Sequence, residues 1–145
     1  MRRYLLCLVL TMSTACGGGD SSTPTAPTPS TVNIAGNWSG TFTFTPITGG
    51  QRTVSAVTAT FTQASQNVTG QINFQDTSRM TLSGVISTST LTASVQFNLA
   101  SAPQCAGTAS ISGTTSTSQV RFTVPSLSSP PGCTFFTNGE FVLSR

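Results

Sequence analysis

Few groups in this chain could do chemistry. Its 145 residues include no histidine and no lysine, three acids and four cysteines. Without imidazole there is no Ser–His pair to activate a nucleophile and no imidazole metal ligand. The acids are Asp20, Asp76 and Glu140. Asp20 lies in a stretch rich in Gly, Ser and Pro, Asp76 lies in a turn cluster, and Glu140 stands beside Phe141 on the opposite, outward face. That order sets up no carboxylate pair of the kind that cleaves glycosides. Cys7, Cys16, Cys105 and Cys133 form no Cys-x-x-Cys and no metal-ligand spacing, and no phosphate-binding loop is present. The chain is therefore expected to be non-enzymatic, with no catalytic residue, no metal and no cofactor.

Charged residues are 6 % of the chain, and about a third are Ser or Thr. That composition favours strands and turns over helices. Without Arg2 and Arg3, four Arg face three acids, a net charge of +1. Such a balance gives no reason to expect nucleic acid as a partner.

The chain opens with Met1, Arg2 and Arg3, followed by an apolar run over residues 4–12 that is too short to span a bilayer. Ser13, Thr14 and Ala15 then lead to Cys16. This resembles a bacterial lipoprotein signal. The resemblance implies a signal peptide over residues 1–15, cleavage before Cys16, and acyl chains on Cys16. Gly17, not Asp, follows the cysteine. By the same resemblance this favours the outer membrane, with the domain facing the periplasm or the exterior. Residues 16–33 read as the lipidated cysteine and a disordered tether of Gly, Ser, Thr and Pro. With Cys7 removed and Cys16 acylated, Cys105 and Cys133 remain in an exported domain, where a disulfide is the default.

Residues 34–145 carry strand periodicity. Along 37–44, Trp38, Gly40, Phe42 and Phe44 fall on one face, while Ser39, Thr41 and Thr43 fall on the other. The same alternation recurs over 53–63, 67–74, 80–86, 91–99, 107–113, 120–124 and 139–143. Between these runs stand Gly49-Gly50, Asp76-Thr77-Ser78, residues 87–89 and residues 116–118, all turn formers. The spacing predicts an all-β, up-and-down antiparallel meander of about eight strands closed into a small barrel. Its inward face would include Trp38, Phe42, Phe44, Ile72, Phe74, Leu82, Val95, Phe97 and Phe122. A repeated pattern (Ser39-Gly40, Thr69-Gly70, Ser83-Gly84, Asn138-Gly139, echoed by Ser112-Gly113) puts glycines on that face. Inward glycines either relieve crowding in a narrow barrel or leave room for a ligand.

Gly36-Asn37-Trp38 at the head of such a meander resembles the calycin group, which includes lipocalins, avidin-like proteins and small bacterial protease inhibitors. The resemblance implies that Trp38 closes one barrel end and that an arginine, Arg145 or Arg121, packs across it. The whole chain is also similar to Ser/Thr-rich lipoproteins of soil bacteria, which implies a fold and no activity. Two partners follow as expectations besides the membrane reached through the lipid anchor. One is a small apolar ligand inside the barrel. The other is a protein, such as a protease whose cleft would receive residues 30–35. A purely structural surface lipoprotein is the third reading.

Overall fold

The computed structural model describes residues 30–100, 105–125, 133 and 136–145. The expected signal peptide, Cys16 and the tether up to residue 29 lie outside the described residues. Eight strands follow one another: β1 (Gly36–Pro46), β2 (Thr53–Ala64), β3 (Asn67–Phe74), β4 (Arg79–Ser87), β5 (Thr90–Asn98), β6 (Gly107–Thr115), β7 (Gln119–Val124) and β8 (Phe136–Ser144). Each pairs antiparallel with its sequence neighbours, and β1 pairs with β8, so the sheet closes on itself. The meander barrel expected from the alternation is the fold. Closure gives every strand a partner on both sides, although β7 covers only the Ser112–Thr115 part of β6.

Alternation drives this architecture. In β5, Leu91, Ala93, Val95 and Phe97 are buried while the residues between them are exposed. Tight turns force left-handed backbone even on residues that disfavour it. Thr77 takes φ 67°, and Asp76 Oδ1 accepts the Ser78 N–H at 3.0 Å, an Asx turn. The periodicity breaks once, in β8. Glu140 pairs with Thr43 and Thr137 with Thr45, so two β8 residues oppose one on β1. Asn138 sits there at φ 53°. This bulge lets both Phe136 and Gly139 face inward although they are three apart.

An eight-stranded barrel is just wide enough for its own side chains. Here they fill it. Phe61, Phe122, Phe141, Ile72, Ile86 and Leu91 are each essentially inaccessible. The inward glycines are close-approach points. A Cβ on Gly40 would strike the Val142 carbonyl and lie 2.8 Å from Leu143 Cα, and one on Gly139 would lie 2.5 Å from the Phe42 ring. They relieve crowding and do not open a chamber. The core includes Ile34, and Val32 packs against it, so the folded unit begins slightly before residue 34. Among the described residues, the apolar core is complete within residues 32–143.

Candidate functional site: the two ends of the barrel

One end is sealed. It carries the head of β1 and the short β2–β3, β4–β5 and β6–β7 turns. Residues 30–35 cross it. The Val32 N–H donates to the Thr88 carbonyl at 3.0 Å. Gln63 holds this segment twice, accepting the Ile34 N–H at 2.8 Å and donating to the Val32 carbonyl at 2.9 Å, and its amide also donates to the Ser65 carbonyl at 2.9 Å. Trp38 is 3 % exposed, and its Nε1–H donates to the Ile34 carbonyl at 2.8 Å. The Arg145 guanidinium lies 4.5 Å from the Trp38 ring centroid. Its N–H groups donate to the carbonyls of Ala35 at 2.9 Å, Asn33 at 3.2 Å and Thr117 at 2.8 Å. Of the two arginines expected to meet Trp38, Arg145 does so. Arg121 instead donates to Glu140 at 2.7 Å on the outer wall.

Sequence reasoning placed residues 30–33 in a tether and offered 30–35 as an inserting segment. The hydrogen bonds above make residues 32–35 part of the seal. The signal was weak: Val32 and Ile34 alternate, but over too few residues to read as an element.

At the other end the described residues form a mouth. It receives the tail of β1, the head of β2, the β3–β4 turn and the starts of β6 and β8. There a cup of about 350 Å³ is walled by Phe42, Phe44, Phe74, Phe97, Leu99 and Phe136, with Thr53, Val54, Ser55, Gln75, Asp76 and Ser78 completing it. The rings hold one another by aromatic contacts. Phe42 stacks on Phe44 at 5.0 Å and meets Phe136 edge-on at 5.1 Å, and Phe74 meets Phe97 edge-on at 5.5 Å. Beneath them Phe42 stacks on Phe141 at 4.3 Å, and Phe141 on Phe122 at 4.7 Å. Such pairs add about 0.5–1.5 kcal/mol each beyond area burial. A second hollow, about 450 Å³ but shallower, lies on the outer wall over Ser39, Ala56, Thr58 and Asn73 and gathers no converging groups.

The nine candidate lining residues therefore divide. Trp38 belongs to the seal. Ile72, Leu82, Val95 and Phe122 are buried in the packed trunk. Phe42, Phe44, Phe74 and Phe97 come together at the mouth, with Phe44 and Phe74 only half-buried. Phe136 and Leu99 join them and were not among the candidates. The bulge at Asn138 hid Phe136, because counting back by twos from Gly139 points Thr137 inward.

Cys105 and Cys133 form a disulfide, with Cα atoms 5.2 Å apart, between the approach to β6 and the segment before β8. It braces the mouth end. Asp76 sits on the cup rim and Glu140 on the outer wall, so the two acids of the described barrel do not converge. Ser78, 1 % exposed, is satisfied: its hydroxyl accepts the Ala100 N–H at 3.2 Å.

Comparison with protein-family models, with curated proteins and with solved structures finds no match to this chain.

Proposed function

We propose that this chain is a lipid-anchored, non-enzymatic binding protein of the cell envelope whose mouth holds the apolar part of a small ligand. The observation that carries the binding role is the aromatic cup at one end of a barrel whose trunk is filled and whose other end is sealed. Ligand pockets run from about 300 to 1,000 Å³. A cup at the lower limit, open to solvent, suits one ring or the end of an alkyl chain. The address rests on the sequence: the basic start, the apolar run and Cys16 support an outer-membrane lipoprotein. Trp38 under Arg145 at the head of an eight-stranded meander supports kinship with the calycins.

The test uses Ser55, which faces the cup and pairs across from Phe42. Native mass spectrometry of the protein purified from its own host is expected to show an added mass. Ser55→Phe, which fills the cup, should lose it. A bare mass in both proteins overturns the reading. Trp38 emission should not respond to apolar probes, since Trp38 is buried at the far end. The anchor is tested separately: Cys16→Ser should lose both palmitate label and membrane association.

A protein partner is the second reading. Exposed Ile47 and Val54, at 54 % and 62 %, favour it: Ile47 lies in the turn that follows β1, and Val54 near the head of β2 borders the cup. Insertion of residues 30–35 into an enzyme cleft has less support, since their bonds to the barrel would have to break.

A further inference from the structure

We infer that the mouth selects a ligand bearing a positive charge on an apolar body, a cationic amphiphile as opposed to a fatty acid or other anion. This rests on the cup reading above and adds the ligand's charge to it.

Among the described residues, Asp76 is the only charged side chain lining the cup. It makes no ion pair among the described residues. One of its oxygens accepts the Ser78 N–H at 3.0 Å, which fixes the carboxylate on the rim. The other acid of the barrel is in a different situation. Glu140 is answered by Arg121 at 2.7 Å and Arg52 at 4.0 Å, out on the wall. Arg52 and Arg79 border the mouth end in sequence, but neither lines the cup. Residues 99–106 and 125–135, which link β5 to β6 and β7 to β8 along the chain, contain no charged residue. An anionic head group held in the cup would face a carboxylate, with Arg52 and Arg79 outside the described lining. A cationic head group would find that carboxylate above aromatic walls, and the π-faces of such rings attract cations. The pair is exposed, so its contribution is small and appears as selectivity more than as affinity.

The test is an NMR titration of residues 30–145, which contain the whole described core. The probes are octyltrimethylammonium, octanol and octyl sulfate, all below micelle concentration. The amides of residues 76 and 78 report. The expected result is that the ammonium binds about fivefold more tightly than the sulfate. In Asp76→Asn the two should come within about twofold of each other. Asn keeps the side-chain oxygen that accepts from Ser78, so the turn is retained. Equal binding of all three probes to the parent overturns the charge inference and leaves the cup standing. A preference that survives in Asp76→Asn overturns the role of Asp76. No shift at the mouth with any probe overturns both this inference and the cup.

Discussion

At one end of the barrel Trp38, Arg145 and Gln63 are tied to main-chain carbonyls of residues 32–35. At the other, five phenylalanines meet ring to ring with no directional bond between them. The ends differ in the same sense in their connections, which are brief at the sealed end and long at the mouth, where the disulfide lies. Hydrogen bonds fix a geometry and saturate their partners, so they suit a plug. Ring packing is less directional and leaves apolar surface that a ligand can cover. The seal should therefore contribute to stability and the mouth to binding.

The largest effect that would sharpen this contrast is at Trp38. Trp38→Ala empties the sealed end and leaves the Ile34 carbonyl without its donor, so it should cost about 3–5 kcal/mol in urea unfolding. Ligand affinity of the fraction that remains folded should be unchanged. Lost affinity in that fraction would show that the two ends are not independent. Next is the brace of the mouth. Replacing Cys105 and Cys133 together by Ser opens a cross-link spanning 28 residues and should lower stability by about 3 kcal/mol. Here binding should weaken as well, because the brace ties the segment before β8, whose first residue Phe136 walls the cup. Smaller again is Arg145→Ala, expected to cost about 1–2 kcal/mol through its lost carbonyl bonds and its contact with Trp38. Arg145→Lys should recover only part of this, since an ammonium lacks the planar fork that reaches three carbonyls. Arg121→Ala serves as the control, because its pair with Glu140 is exposed and should be worth about 0.5 kcal/mol or less. A control loss as large as that of Arg145→Ala would break the distinction between seal and surface.

The trunk was legible in the sequence because a half-buried strand writes its burial every second residue. The run from Leu91 to Phe97 names its own inward face. The inward glycines were legible as a pattern but not in meaning. Whether the space beside Gly139 is empty depends on the ring of Phe42, which lies on another strand. The ends were least legible. Residues 32–35 take their place through hydrogen bonds to Gln63, Thr88 and Arg145, far away in sequence, and no local period marks them. Phe136 was lost because the bulge at Asn138 shifts the count by one, and nothing short of the β1–β8 register reveals it. As a result the candidate lining mixed plug, trunk and cup into one set.

The route of residues 30–35 also decides how the domain is presented. The chain reaches the barrel along the sealed end, beneath Arg145. In the proposed lipoprotein the tether therefore joins the domain at the sealed end, and the aromatic cup lies at the opposite end of the barrel. A lipid anchor and a ligand in the cup would then load opposite ends of one rigid barrel, so neither would have to displace the other.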